Sequence, residues 1–214
     1  MHKIAWNGYL YSQPDSAFYF AQLEYNFAES VNNKKWMSNT LNTQGASFYI
    51  RGNYAKAIDY YTRSLKIGEE LGDKKGIAAS LNNIGNIYWK QGDLDKAEDC
   101  YTKSLKIKEE LGDKQDIASS LMNIGMICWR QGDNAKAIEY LTRSLKIDEE
   151  IEDKYGIAGS LINIGIIYKS QGDHAKALEY YSRSLKIKEE LGDKQGIALS
   201  LINIGNIYKD QGET

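Results

Sequence analysis

The stretch KGIAASLNNIGNIY at residues 75–88 returns three times along the chain, each time 40 residues further on. The copies are QDIASSLMNIGMIC at 115–128, YGIAGSLINIGIIY at 155–168 and QGIALSLINIGNIY at 195–208. Between them lie segments of the form Lys-Ala-x-x-x-Tyr/Leu-Thr/Ser-Arg/Lys-Ser-Leu-Lys-Ile-x-Glu-Glu, which begin at Lys56, Lys96, Lys136 and Lys176. A fixed period of this length indicates a repeat protein in which neighbouring units stack.

Each repeat predicts two helices joined by a tight turn. In the first helix, Leu81, Ile84 and Tyr88 recur at helical spacing and form one apolar stripe. The second helix carries a facing stripe at Ala97, Tyr101, Ser104, Leu105 and Leu111. The segment Gln91-Gly92-Asp93 ends the first helix, because glycine suits the position after a helix and aspartate can cap the next one.

Gly85 lies inside the first helix, where glycine costs about 1 kcal/mol relative to alanine. We therefore expect the second helix to approach Gly85 so closely that a Cβ atom would hold the two backbones apart. Ala97, a small residue on the facing stripe, fits this expectation.

The composition argues against several classes of function. The 27 basic and 29 acidic side chains give a net charge of −2, so there is no electrostatic attraction for nucleic acid or anionic lipid. Cys100 and Cys128 match no metal-binding or disulfide pattern and are expected to be small buried residues. No apolar run is long enough for a membrane span and no signal peptide is visible, so we expect a cytoplasmic location. The alternatives to a cytoplasmic location are a signal sequence that has been removed and a membrane anchor in a longer protein.

The repeated positions resemble the pattern of the tetratricopeptide repeat (TPR) family at Leu81, Ile84, Gly85, Tyr88, Gly92, Asp93, Ala97 and Tyr101. The period is longer than in the commonest form, because Glu109 stands where that form has a proline. The longer unit resembles those of kinesin light chain and of Pins/LGN-type scaffold proteins. The resemblance implies an all-α fold, a right-handed superhelical solenoid of antiparallel helix pairs with about eleven helices.

This resemblance covers the whole chain and implies one solenoid over residues 1–214 that binds a protein or an extended peptide in its concave groove. Its parts are a partial first unit at 1–33, full units at 34–73, 74–113, 114–153 and 154–193, and a lone terminal helix within 194–214. Residues 1–50 also resemble TPR sensor regions of bacterial signalling proteins, and the chain stops where the other units continue with Lys-Ala. The alternative function is therefore a truncated regulatory region of a larger bacterial signalling protein, of the histidine kinase or nucleotide cyclase type.

In TPR arrays the first helix of each unit lines the concave groove, and one position on that side of the helices is constant here. It holds Asn83, Asn123, Asn163 and Asn203. A carboxamide both donates and accepts, so four of them can form a ladder that pairs with a peptide backbone, as asparagines so placed do in the repeats that the chain resembles. The alternatives are that each asparagine bonds a neighbouring helix, or that repeat duplication merely copied it.

The positions beside the ladder vary from unit to unit and are expected to set specificity. The candidate groove residues there are Asn82, Asn86, Trp89, Met122, Met126, Trp129, Arg130, Ile162, Ile166 and Lys169. The middle of this set is apolar, with flexible methionines, as expected of a hydrophobic pocket. The alternative is that Met122 and Ile162 pack between adjacent first helices.

We expect a binding module and not an enzyme, with no metal and no cofactor. The chain has two histidines, His2 and His174, and no phosphate-binding loop, nucleophile elbow or metal-ligand cluster. The expected partner is a protein or peptide, with neither nucleic acid nor membrane insertion. The last helix exposes core positions that no second helix covers, so we also expect end-to-end self-association through residues 194–211.

Overall fold

The computed structural model describes residues 13–212, which form ten α-helices and no strand, and confirms the all-α prediction. The helices are α1 (Pro14–Ser30), α2 (Lys34–Ile50), α3 (Tyr54–Leu71), α4 (Lys74–Gln91), α5 (Leu94–Leu111), α6 (Lys114–Arg130), α7 (Asn134–Glu150), α8 (Lys154–Ser170), α9 (His174–Glu190) and α10 (Lys194–Asp210). The eleventh helix, expected at the start of the partial first unit, lies outside the described residues. None of the described helices is long and apolar enough to span a membrane.

The short turns between helices have the predicted chemistry. Gly92 adopts a left-handed conformation with φ of 80°, and the Asp93 carboxylate accepts a hydrogen bond from the backbone N–H of Lys96. Two turns depart from this pattern, because Asn32 with φ of 51° and Glu152 with φ of 57° take the left-handed conformation where most other turns have glycine. The glycine and capping predictions at Gly92 and Asp93 are thus confirmed.

The chain divides into two compact units, residues 1–111 and 112–214, each of which is described by itself. In the first unit, each helix from α1 to α4 packs against the next one along the chain. Lys74 at the start of α4 pairs with Glu110 at the end of α5 at 2.9 Å, so these two helices run antiparallel. The core between the pairs contains Tyr61, Ile84, Ile87 and other side chains.

The second unit repeats this arrangement in helices α6 to α10, and α6 also contacts α8. Lys154 at the start of α8 pairs with Glu190 at the end of α9 at 2.8 Å, so this pair is antiparallel as well. The largest fully buried side chains of the unit are Leu121, Ile124, Ile127, Leu141, Leu161, Ile164, Ile167, Tyr181 and Ile207. The prediction of one solenoid over the whole chain stays a prediction.

Close helix approach at the mid-helix glycines is confirmed, and at Gly85 and Gly165 a tyrosine ring of the second helix fills the space. A Cβ atom on Gly85 would lie 2.8 Å from the ring of Tyr101, and one on Gly165 would lie 2.6 Å from the ring of Tyr181. A Cβ atom on Gly125 would lie 2.9 Å from Leu141 and 3.2 Å from the carbonyl oxygen of Ala137, the counterpart of Ala97. The glycine therefore makes room for a large side chain of the second helix and, at Gly125, for its backbone as well.

A serine on each second helix links the two helices of a pair. Ser104 Oγ donates a hydrogen bond to the carbonyl of Ala78 at 2.9 Å, and Ser184 Oγ donates to the carbonyl of Ala158 at 3.0 Å. The same bond joins Ser64 to Ser38 and Ser144 to Ala118. These hydroxyls are fully buried, so the bond also removes the penalty of an unpaired polar group.

Candidate peptide-binding site

The constant asparagines lie on the first helices, where the sequence places them. Asn83 is on α4 in the first unit, and Asn123, Asn163 and Asn203 are on α6, α8 and α10 in the second. All four side chains are half-buried, and none makes a hydrogen bond within residues 13–212. The bond to a neighbouring helix that would explain them structurally is therefore absent from this part of the chain. Their amide donors and acceptors remain available.

Other asparagine side chains in the first unit accept hydrogen bonds from within the protein. Tyr101 donates a hydrogen bond from its hydroxyl to Asn86 Oδ1 at 2.6 Å, and Ser80 Oγ donates to Asn42 Oδ1 at 3.3 Å. Burial raises the pKa of Tyr101 well above its usual value, which keeps the hydroxyl protonated as a donor. Asn82 and Trp89 are half-buried on the same helix as Asn86. The predicted groove residue Asn86 thus also has a structural role.

The apolar candidates of the second unit are half-buried and take part in packing. A Cβ atom on Gly159 of α8 would lie 3.4 Å from Met122 Cε of α6, so Met122 sits between these two first helices. Ile162 and Ile166 pack against the cluster of Ala177, Tyr181 and Ile207. Met126 and Trp129 are half-buried as well. Each of these side chains therefore retains an exposed part beside the asparagines while its remainder supports the core.

Two of the predicted groove residues at the ends of these helices also make polar contacts within the protein. Trp129 Nε1 donates a hydrogen bond to Ser170 Oγ at 3.3 Å, which links the ends of α6 and α8. Lys169 Nζ pairs with Asp210 of α10 at 3.2 Å. Arg130 is exposed at the end of α6. The charge of Lys169 is thus partly balanced, which reduces its pull on an acidic ligand.

The first helices can supply hydrogen bonds and apolar contact. Among residues 13–212, no group of His, Cys, Asp or Glu side chains has the arrangement of a metal site. The interior serine bonds, which sequence reasoning missed, had a visible signal. Ser64, Ser104, Ser144 and Ser184 recur at the same repeat position. The hydrogen bond from Tyr101 to Asn86 had no such signal in the sequence, because it depends on how the following helix places its tyrosine.

The chain resembles several solved structures over most of its length. BtubC (BKLC) from P. vanneervenii is 21% identical with a TM-score of 0.82, and the match covers 94% of this chain and 85% of that one. A putative kinesin light chain of Podosopora anserina with nearly identical TPR-like repeats is 13% identical, covers 89% and 94%, and has a TM-score of 0.71. A Rap protein complexed with Competence and Sporulation Factor is 18% identical, covers 99% and 64%, and has a TM-score of 0.71. At such identities the likeness shows the fold alone.

Sequence comparison identifies the repeat itself. The tetratricopeptide repeat profile matches residues 36–110, 76–150, 116–190 and 156–214, each match beginning 40 residues after the last. Comparison with curated proteins gives no match. Proteins built from this repeat are in general scaffolds that bind protein or peptide partners, and the helix pairs described above have this scaffold fold. The chain therefore belongs to the tetratricopeptide repeat family.

Proposed function

We propose that this chain is a scaffold that holds an extended peptide, or an extended segment of a partner protein, against its first helices. The observation that carries the proposal is the repeated asparagine whose side chain makes no hydrogen bond within the described residues. Asparagine is a poor helix former because its side chain competes with the backbone for hydrogen bonds. Four mid-helix copies without a structural partner are best explained by a ligand.

The chemistry of the site suits a peptide backbone. Each amide can accept from a peptide N–H and donate to a peptide C=O, which gives affinity that does not depend on the ligand's side chains. In the second unit the exposed parts of Met122, Met126 and Ile166 lie on the same helices as the asparagines. Apolar side chains of the ligand would be selected by these flexible and branched residues. The likeness to a Rap protein solved with Competence and Sporulation Factor supports a ligand-binding role.

The test uses short random peptides displayed on phage, selected for binding to the whole chain and then synthesised. Asn123→Ala combined with Asn163→Ala should weaken these peptides by about 10- to 100-fold, since each lost pairing is worth roughly 0.5–1.5 kcal/mol. The melting temperature should not fall, because alanine has the higher helix propensity and no buried bond is removed. Isothermal titration and thermal unfolding on the same preparation measure both quantities.

Asn134→Ala, a substitution at the start of second helix α7, is the matched control and should leave affinity unchanged. Peptides methylated on single backbone nitrogens provide a second readout, because a backbone-reading ladder must lose affinity at particular methylated positions. A double variant that unfolds at lower temperature but binds the peptides normally would show that the asparagines are structural.

A further inference from the structure

Gly159 of α8 is a mid-helix glycine whose surroundings differ from those of Gly125 and Gly165. A Cβ atom on either of those two would lie less than 3.0 Å from a large side chain of the second helix. A Cβ atom on Gly159 would lie 3.4 Å from Met122 Cε, an ordinary contact, and would meet no other described residue outside α8 within 4 Å. Glycine weakens a helix relative to alanine, and an alanine fits here. Packing within the described chain therefore does not explain Gly159.

The missing side chain leaves an open notch on the side of α8 that carries the constant asparagine. Asn163 follows Gly159 by one helical turn, so the two residues lie on the same face of α8. Met122, which directly precedes Asn123 in α6, closes the notch on one side with its thioether end. Gly159 and Met122 are only half-buried, so solvent reaches this space. We call the space between Gly159, Met122 and Asn163 the Gly159 notch.

The equivalent position of other first helices carries a side chain of varying size. It holds Ala79 in α4, Ser119 in α6 and Leu199 in α10. Leu199 lies within a regular helix, so a first helix accommodates a leucine at this position. In α8 the volume of such a side chain is left free.

The spacing of the helices brings one ligand side chain to this notch. Helices α6 and α8 contact each other, and packed helices lie about 8–10 Å apart. An extended peptide advances about 3.3 Å per residue, so about three of its residues span the distance from Asn123 to Asn163. Alternate side chains of an extended chain point to the same side. A peptide on the asparagine ladder therefore presents one side chain to the surface between α6 and α8, where the notch lies.

The chemistry of the notch favours an aliphatic side chain. The thioether end of Met122 is apolar and flexible, so it can adapt to a branched hydrocarbon. Lys169, the basic groove residue of α8, lies about 15 Å further along the helix and is paired with Asp210. We infer that the Gly159 notch takes a leucine-sized aliphatic side chain of the bound peptide, which makes Gly159 a specificity-determining residue. This selectivity rests on the proposed function, because the asparagine ladder brings the peptide to the notch.

The test selects peptides from one random phage library on the wild-type chain and on Gly159→Leu in parallel. Peptides selected on the wild-type chain should share leucine, isoleucine or methionine at one position, and those selected on Gly159→Leu should carry glycine, alanine or serine there. A synthetic wild-type-selected peptide should bind Gly159→Leu about 10- to 50-fold more weakly, because the leucine of the chain occupies the notch. The same peptide with alanine at that position should bind the two chains within about twofold of each other.

Three further variants separate the notch from the ladder and from general effects of added bulk. Thr142→Leu, on the exposed face of second helix α7, is the matched control and should leave both affinities unchanged. Met122→Ala removes one wall and should weaken the aliphatic peptide more than its alanine form, which keeps the test open if Gly159→Leu does not fold. The double variant of Asn123→Ala and Asn163→Ala should weaken both peptides equally, because it acts on their backbone. Thermal unfolding checks that each variant is folded.

The outcomes distinguish failure of the notch from failure of the proposed function. Selected peptides that need the asparagines but bind the wild-type chain and Gly159→Leu equally would overturn the notch alone. Equal losses of the aliphatic and alanine peptides in Gly159→Leu would also overturn it, because the added leucine would then block the peptide backbone. Selective loss in Gly159→Leu with none in the double asparagine variant would support the notch and overturn the ladder. A library that yields no binding peptide would overturn both.

Discussion

Helices α8 and α10 have almost the same sequence and opposite environments. LINIGIIY at 161–168 and LINIGNIY at 201–208 differ at one position. Leu161 is 1% exposed and Leu201 is 53% exposed. The difference is that α9 covers α8, whereas within the described residues no second helix covers α10. At this position of a first helix, the leucine is therefore buried by the second helix of the same pair, and the repeat pattern alone does not decide its burial.

The test with the largest expected effect is truncation of the equivalent leucine in both helices. Leu161→Ala should lower the free energy of unfolding by about 2–5 kcal/mol, because it leaves a cavity in a fully packed core. Leu201→Ala should change it by less than about 1 kcal/mol, since that side chain is already half in water. Urea unfolding followed by circular dichroism measures both. Equal losses would mean that α10 is covered in solution.

A smaller but sharper test reverses the sign of one substitution. Gly205→Ala should stabilise the chain by up to about 1 kcal/mol, because the new methyl group meets no atom and alanine is the better helix former. Gly165→Ala should destabilise it by about 1–3 kcal/mol, because the methyl group would lie 2.6 Å from the buried ring of Tyr181. Thermal unfolding of the two variants side by side gives the signs. Stabilisation by both would contradict the close-packing explanation for Gly165.

The same comparison marks what the sequence could and could not predict. The period, the helix pairs and the turn at Gly92 followed from local patterns, because glycine and capping residues act on their immediate neighbours. The contact between Gly85 and Tyr101 was predicted only as a close approach, since the identity of the filling side chain depends on how one helix is rotated against the other. For the candidate site, the asparagine positions followed from the helical period. The engagement of Asn86 by Tyr101 did not, because it joins two helices.

Position 148 extends the comparison from the first helices to the second helices that pack on them. Asp148 of α7 and Lys188 of α9 are equivalent repeat positions. Lys188 pairs with Asp193 at 3.0 Å, beside the start of α10. Asp148 is 2% exposed, and its Oδ2 instead lies 3.4 Å from the hydroxyl oxygens of Ser144 and Ser160. Burial, with repulsion from Asp153 as the next cause, raises the pKa of Asp148 to about 6.

The smallest expected effect is the pH dependence that Asp148 gives the second unit. Its pKa is higher in the folded chain than in the unfolded chain, so the folded state holds the proton more tightly. The stability that this carboxyl contributes should therefore be fully present below about pH 4 and be lost as the pH rises to about 7. Asp148→Asn, which cannot ionise, should remove about 1–2 kcal/mol of this fall. Exposed Glu149, changed to Gln, is the control and should leave the profile unaltered. Urea unfolding at pH 4.5 and 7.5 measures the difference, and an unchanged profile in Asp148→Asn would mean that this carboxyl is hydrated in solution.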